Sequence, residues 1–173
     1  GKLSIFDIGG SLGSTYYQSQ SLFQKDFYEF WNVIEQNHYV ELGKKDYTDE
    51  KLKFISVLPK SLGPNSFIIL SSVLQFLEHP FKLLEQITRK GAKYVLIDKT
   101  PISTDGRNYL SIQKVSPPIY DASYPAWHLS ERKILKAFLN YQNIDSFNSH
   151  LGIVNQAKHF SSTYKGYFFV KND

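Results

Sequence analysis

The sequence predicts an α/β fold built on a doubly wound, mostly parallel sheet with an antiparallel C-terminal edge. Three observations support this prediction. Strand-like and helical patterns alternate five times along the chain. Several of the strand-like segments are near-continuous apolar runs, which is typical of strands covered by helices on both faces. The end of the chain adds two strand-like segments, FNSHLGI and YKGYFFVKN, that are able to pair.

The five apolar segments end at turn signals or at a change of period. They are residues 3–9, 30–36, 52–58, the start of 66–77, and 93–101, which Pro101 is expected to end. Three helical patterns are present, two directly after apolar segments and the third after residues 102–128. These are 14–27 with Ser14 or Thr15 as N-cap, 80–91 between Pro80 and Gly91, and 128–142 with Ser130 as N-cap.

Residues 102–128 have no clear period and contain several prolines. They predict a long ordered loop, and such loops in compact domains are usually lids or binding loops. Tyr120, Tyr124 and Trp127 are candidates for an aromatic wall over a substrate, or else they anchor the loop.

Length and composition predict a single domain, residues 1–173, with a sizeable core. The chain has no cysteine, so a disulfide framework, a thiolate zinc site and a cysteine nucleophile are excluded; no metal site is predicted. No apolar run is long enough to span a membrane, and the default expectation is a cytoplasmic protein. Because Met is absent and the first strand begins almost at once, we expect a chain truncated at its N-terminus.

The net charge of +4 is compatible with anionic ligands. Lys and Arg are scattered, however, and residues 44–53, where charge is densest, have mixed signs. A nucleic-acid-binding surface is expected to be more uniformly basic, so no nucleic-acid partner is predicted.

The segment FDIGGSLGS, residues 6–14, places three glycines directly after the first strand. It does not match the dinucleotide fingerprint G-x-G-x-x-G, because Ile8 stands where the first glycine is needed. It lacks the lysine of a phosphate-binding P-loop. The remaining pattern allows backbone N–H groups to approach a ligand closely and favours a carboxylate at the helix N-terminus.

Two carboxylates near this turn complete a ligand hypothesis. Asp7, at the end of the first strand, is a candidate partner for a ligand ammonium. Glu35 ends the neighbouring second strand, where a carboxylate is able to accept hydrogen bonds from both hydroxyls of a ribose. An amino acid, a ribose and then an adenine describe S-adenosylmethionine. Each feature also has an interpretation without a ligand. The glycines are then only a tight connection between strand and helix, and Glu35 is a solvated surface residue.

The motifs DIGGSLG, Glu35 at the end of strand two, and SSVLQFLEHP at 71–80 resemble the class I S-adenosylmethionine-dependent methyltransferases, which have a Rossmann-like fold. GGSLGSTYYQ, VIEQ, IDKTP and IYDASYPAW are similar to a narrower bacterial group associated with surface-polysaccharide genes. The resemblance implies O-methylation of a small molecule or glycan precursor, with S-adenosylhomocysteine as the product.

The resemblance also implies a cofactor site. The glycines of the turn are expected to pack against the methionine portion, Glu35 to bind the ribose, and residues 71–73 to lie on the cofactor's other side. The full set of candidate cofactor-binding residues is Asp7, Gly9, Gly10, Ser11, Gly13, Tyr16, Glu35, Gln36, Ser56, Ser71, Ser72 and Val73. A bulky residue at Gly10 is expected to abolish cofactor binding without unfolding the sheet.

One departure keeps other functions open. Many family members carry an acid after strand three that binds the adenine amine, whereas this sequence has LKFISVLPK there, which leaves Ser56 or backbone groups for that contact. A non-catalytic binding or scaffold domain of the same fold is therefore the second hypothesis. A nicotinamide-dependent oxidoreductase is the third, and Ile8 argues against it.

The candidate catalytic residues are His128, Tyr124 and Asp98. His128 lies beside Trp127 and is a candidate base for removing a hydroxyl proton, although a structural role where the helix begins is the alternative. Asp98 follows strand five and either contacts substrate or pairs with Lys99. His38, His79, His150 and His159 have no motif partner and are expected to serve packing or the surface.

Overall fold

The computed structural model describes residues 1–23, 27–115, 117–118, 121–156 and 160–173, without the side chains of 152–156. The strands in these ranges are β1 (Leu3–Ile8), β2 (Tyr28–Ile34), β3 (Leu52–Ile55), β4 (Ser66–Ser71), β5 (Tyr94–Ser103), β6 (Tyr109–Val115), β7 (Ala122–His128), β8 (Tyr141–Gln156) and β9 (Phe160–Lys171). The helices are α1 (Ser14–Gln20), α2 (Asn37–Asp46), α3 (Pro80–Arg89) and α4 (Glu131–Ala137), with a single 3₁₀ turn at Leu74–Phe76.

Seven strands form one sheet in the order β3-β2-β1-β4-β5-β9-β8. The first five are parallel, and β9 pairs antiparallel with both β5 and β8. The predicted fold class is confirmed. The chain moves outward from β1 to β3 and then returns to the other side of β1 with β4, so the strand order reverses between β1 and β4. Ligands of such sheets bind at this point, beyond the carboxyl ends of the strands.

Helices cover both faces of the sheet, as the apolar runs predicted. Ile5 and Phe6 are neighbours on β1 but belong to two different core clusters, because successive side chains of a strand point to opposite faces. The cluster that contains Phe6 is closed by Leu84 of α3 and Ile134 of α4. The cluster that contains Ile5 is closed by buried side chains of α1 and α2.

Several predicted boundaries were wrong. The helix expected over 14–27 ends at Gln20, and its N-cap is Gly13 rather than Ser14 or Thr15. Helix α2 was not predicted, because only Val40 and Gly43 of its residues are buried and its sequence has little apolar periodicity. Ser130 does occupy the N-cap of α4, but its hydroxyl makes no cap hydrogen bond.

Strand β5 continues through Pro101 to Ser103 instead of ending there. Its pairing with β4 stops at Asp98, and beyond that point β9 is its strand partner in the sheet. A proline is tolerated where one side of a strand has no ladder to complete.

The loop expected over 102–128 is largely a β-hairpin. β6 and β7 pair antiparallel over their whole length, from Tyr109 opposite His128 to Val115 opposite Ala122, as a separate two-stranded sheet. The hairpin packs on the segment after β4, where the Trp127 Nε1–H donates to the Leu77 carbonyl at 3.1 Å. It therefore lies beside the carboxyl ends of β4 and β5. Within the described ranges, no helix is long and apolar enough to cross a membrane.

Candidate functional site

The glycine turn lies at the point where the strand order reverses. The Gly9 N–H donates to the Ile34 carbonyl at 2.9 Å, and the Gly13 N–H donates to the Gly10 carbonyl at 3.0 Å. Gly9 and Gly13 have φ of 75° and 87°, which only glycine adopts readily. A Cβ on Gly9 would also lie 2.5 Å from a methyl carbon of Val73. The turn is thus fixed against β2 and against the segment after β4.

Gly10 has a different reason to be glycine. It is buried, its φ is not left-handed, and a Cβ there would lie 2.6 Å from Oδ2 and 2.7 Å from Cγ of Asp7. Packing within the protein therefore explains this glycine. A bulky residue at position 10 would displace a core carboxyl group, which argues against the expectation that such a change leaves the sheet intact.

Asp7 lies beneath the turn and not on its open side. Its exposure is 1%, and Oδ2 has no hydrogen-bond partner among the described residues. Burial raises the pKa of Asp7 to about 6, and the charge of Glu35 adds to the rise. The nearby Trp31 and Thr15 side chains oppose this rise in pKa, although Trp31 Nε1 makes no well-formed hydrogen bond within the described ranges. The direct contact with a ligand ammonium expected for Asp7 is not supported by this position.

Glu35 joins the turn to the end of β2. One carboxylate oxygen accepts from the Ser11 N–H at 3.1 Å, and the other accepts from the Gln36 N–H at 3.0 Å. The side chain is only partly buried. Each carboxylate oxygen has two acceptor positions, so each keeps one for a further donor. The site can therefore offer a double acceptor to a diol.

Backbone strain is concentrated at this edge of the sheet. The non-glycine residues with positive φ in the described part of the chain are Ser11, Ser72 and Lys99, at 52°, 56° and 51°. They follow the ends of β1 and β4 and the point on β5 where pairing with β4 stops. Such conformations cost about 1–3 kcal/mol each and cluster at functional sites.

A hydrogen-bond network holds two of these strained residues together. The Ser72 N–H donates to the Asp98 carbonyl at 3.0 Å. The Gln75 side-chain amide donates to Ser72 Oγ at 3.1 Å and to the Lys99 carbonyl at 3.3 Å. Gln75 is 2% exposed, and it was not among the site residues predicted from the sequence. Its place one 3₁₀ turn after Ser72 is the signal that was available.

The remaining cofactor candidates are not equally well placed. Ser56 is exposed directly after β3, and Ser71 ends β4, so both lie at the same edge as the turn. Tyr16 does not belong to this group. Its ring is in the core against Tyr28 and Trp31, and its hydroxyl donates to Asp49 Oδ2 at 2.7 Å, ahead of the start of β3. Tyr16 therefore points toward the amino ends of the parallel strands, whereas the glycine turn lies at their carboxyl ends. It does not belong to the candidate site.

The three catalytic candidates have separate surroundings. His128 is 3% exposed; its Nδ1 is 2.7 Å from Ser162 Oγ and its Nε2 is 3.1 Å from Ser111 Oγ. Asp98 is partly buried, and its Oδ1 accepts from the Lys99 N–H at 2.7 Å. Tyr124 packs edge-on against Phe76 with the ring centroids 5.4 Å apart. Tyr120 and His159 lie outside the described residues.

No family model matches the chain, and a search of curated proteins found no match. Solved structures do match its fold. LepI in complex with S-adenosylmethionine aligns with a TM-score of 0.57 at 11% identity over 99% of this chain, which spans 43% of the LepI chain. The glycopeptide N-methyltransferase MtfA gives a TM-score of 0.58 at 10% identity, covering 97% of this chain and 88% of MtfA.

A third structure is the magnesium protoporphyrin IX methyltransferase ChlM of Synechocystis with bound S-adenosylmethionine. It aligns with a TM-score of 0.54 at 11% identity, covering 96% of this chain and 70% of ChlM. The chain therefore has the fold of the class I S-adenosylmethionine-dependent methyltransferases.

Proposed function

We propose that this chain is an S-adenosylmethionine-dependent methyltransferase. The observation that carries the proposal is the contact between Glu35 and the glycine turn. It brings a carboxylate with unused acceptor positions to the backbone of residues 9–13, at the reversal of the strand order. The fold and the strained residues at the same edge support it. The structural neighbours bind this cofactor or are methyltransferases.

The residues present fit the cofactor. Glu35 would accept from the ribose hydroxyls, and the turn containing Gly9, Gly10, Ser11 and Gly13 would face the methionine portion. Residues 71–73 would bound the cofactor on the side of β4, and Gln36 and Ser56 would lie toward the adenine. Asp7 would not contact the cofactor directly. It would support the glycine turn from its buried side, where it packs under Gly10.

When bound, S-adenosylmethionine supplies a methyl group on a sulfonium, which an acceptor takes by in-line displacement. The main task of the protein is alignment, which is worth much of the rate in such reactions. Asp98 and Tyr124 are the candidates to orient the acceptor, because both are partly buried beside the carboxyl ends of β4 and β5. His128 is buried, and Ser111 Oγ, the hydroxyl at its Nε2, donates to the Ala126 carbonyl at 3.2 Å. His128 would therefore act on a proton only through Ser111, and only if that hydroxyl turned from Ala126 to Nε2.

Replacing Glu35→Gln should weaken binding of S-adenosylmethionine and S-adenosylhomocysteine by at least about tenfold, because the variant loses charged acceptors for the ribose. Isothermal titration calorimetry measures this directly. Glu41→Gln is the matched control, since Glu41 is an exposed residue of α2 and undergoes the same chemical change. Its affinity should stay within twofold of the parent.

Folded parent protein that binds neither compound at millimolar concentration would overturn the proposal. That outcome would favour a non-catalytic domain of the same fold. One observation supports this alternative: Ser56 follows β3 where an acid would bind the adenine amine, and the next residue, Val57, is 73% exposed. The oxidoreductase alternative is disfavoured because Ile8, in place of a fingerprint glycine, is a core residue with 8% exposure. A fluorescence titration with NADH tests it.

His128 should remain neutral below the usual pKa of a histidine, because burial lowers the pKa of its imidazole. As the pH falls, the imidazole is protonated in the unfolded chain before it is protonated in the folded chain. His128 therefore lowers the free energy of unfolding as the pH falls below 6.5, the ordinary pKa of a histidine. A pH titration of the imidazole ¹⁵N resonances by NMR measures the protonation. An imidazolium at pH 6.5 would contradict both the buried geometry and the proposed role through Ser111.

The finer features of the proposal follow from length and composition, for the domain and the compartment, and from the sequence resemblance, for the acceptor. We propose a single domain that acts in the cytoplasm on a small molecule or glycan precursor, most simply at oxygen. The association with bacterial surface polysaccharides belongs to this proposal. Product analysis by mass spectrometry with candidate acceptors tests the acceptor and the atom that is methylated.

A further inference from the structure

A cavity of about 400 Å³ lies between the start of α3 and the β6–β7 hairpin. Its lining includes Glu78, His79, Phe81, Lys82, Asn108 and Trp127. These residues come from three separate parts of the chain, which the docking of the hairpin brings together. Of these residues, the sequence predicted only Trp127 as a candidate to contact a substrate, and none as a cofactor-binding or catalytic residue. The volume is sufficient for one ring-shaped molecule.

The cavity has a rigid apolar wall. The indole of Trp127 is held by the hydrogen bond from its Nε1 to the Leu77 carbonyl at 3.1 Å. Phe81 and Trp127 are both partly buried and pack against the main core cluster. A ring face that is fixed from behind and open in front favours a flat or ring-shaped ligand with an apolar face.

The lining itself holds one lysine, Lys82, and one glutamate, Glu78. Lys133 lies beside the lining, with Nζ 5.7 Å from the ring centroid of Phe81. Two lysines and one glutamate, all exposed, therefore lie at or beside the cavity. The carboxylate of Glu78 is 3.6 Å from His79 Nε2 and lies in solvent. Asn108 Oδ1 accepts from the Ser130 N–H at 2.7 Å, so the Nδ2–H groups of the Asn108 amide point away from Ser130. The cavity and its rim therefore offer two lysines and the Asn108 amide, which suit an anionic group.

The cavity is close to the proposed cofactor site. Val73 contacts the glycine turn, and the chain runs from there through one 3₁₀ turn to Leu77, whose carbonyl holds Trp127. At a rise of about 2 Å per residue, the four steps from Val73 to Leu77 cover about 8 Å. One extended acceptor molecule can therefore occupy the cavity and still reach the end of β4.

We propose that this cavity is the acceptor subsite and that it selects a ring with an apolar face and a carboxylate, whether a sugar acid or an aromatic acid. This proposal rests on the proposed methyltransferase function. The ring stacks on Trp127 and Phe81, and the carboxylate pairs with Lys82 and Lys133.

Saturation-transfer NMR titrations without cofactor test it. The probes are glucuronate and benzoate, with glucose and benzyl alcohol as their uncharged counterparts. At least one acid should bind more tightly than its uncharged counterpart. Lys82→Gln and Lys133→Gln should each weaken that acid by about threefold, the value of one exposed ion pair. Lys136→Gln, an exposed lysine on the same helix as Lys133, is the matched control and should change nothing.

Whichever acid binds more tightly than its uncharged counterpart shows whether the carboxylate belongs to a sugar acid or to an aromatic acid. Equal binding of charged and uncharged rings, an equal loss with Lys136→Gln, or no binding of either acid at millimolar concentration would overturn the subsite. Calorimetry with S-adenosylmethionine is independent of these titrations. Acid binding without cofactor binding would leave a carboxylate subsite in a protein that is not a methyltransferase.

Discussion

Gly10→Ala is expected to lower the free energy of unfolding by about 1–3 kcal/mol, the usual cost of forcing extra volume into a packed core. The added methyl carbon would lie 2.6 Å from Oδ2 of Asp7 and 2.7 Å from Cγ. With 1% exposure, the Asp7 carboxyl has little room to move away. Urea denaturation of the parent and the variant measures the difference.

The partner substitution Asp7→Ala makes this prediction specific, because it removes the three atoms that the new methyl group meets, Cγ, Oδ1 and Oδ2. In the Asp7→Ala background, Gly10→Ala should cost less than about 0.5 kcal/mol, so the two changes should be strongly coupled. Gly63→Ala is the matched control, since Gly63 has no left-handed φ and a Cβ added there would have no atom within 4 Å among the described residues. Additive effects at positions 7 and 10 would refute the packing explanation for Gly10.

The parallel strands were predictable because each is a short apolar run that ends at a turn, and burial on both faces requires that pattern. The position of Glu35 followed from the same reasoning, since it comes directly after the last residue of β2. Its hydrogen bond to the turn was not predictable. That contact depends on the left-handed φ of Ser11, a conformation that no residue type other than glycine indicates reliably.

The hairpin was missed for a different reason. Leu110 and Ile112 of β6 are exposed, and Pro125 stands within β7 opposite Ile112. Apolar side chains in solvent and a proline inside a strand both contradict the usual signals for a strand. A two-stranded sheet tolerates them because each strand is an edge. Its docking through Trp127 is a tertiary contact between distant parts of the chain, which local sequence patterns do not specify.

The role of Asp7 shows how burial changes the chemistry inferred from a motif. A carboxylate at the end of a strand ordinarily suggests a ligand contact, and the sequence cannot tell whether it faces the ligand or the core. Here it faces the core, with one oxygen unpaired among the described residues and with its pKa raised to about 6. A residue that destabilises its own fold usually serves a function. Asp7 packs under the glycine turn, which is part of the proposed cofactor site.

Asp7→Asn should therefore raise the free energy of unfolding at pH 8 but not at pH 4. The folded-state pKa of Asp7 is about 6 and the unfolded reference is 3.8, so between these values the folded chain holds a proton that the unfolded chain has lost. Stability consequently falls as the pH rises through this window. At about 1.4 kcal/mol per pKa unit, the full cost at pH 8 is about 3 kcal/mol, and a neutral amide avoids it.

Urea denaturation of the parent and Asp7→Asn at several pH values from 4 to 8 measures this difference, and subtracting the two curves cancels most of the other titrations. The advantage of the variant should grow between pH 4 and 7 and then level off. Asp46→Asn, at the exposed end of α2, is the control for the same chemical change at a carboxyl that is not buried. If the Asp7→Asn difference does not change with pH, the Asp7 carboxyl is not buried as described, and the turn above it has another support.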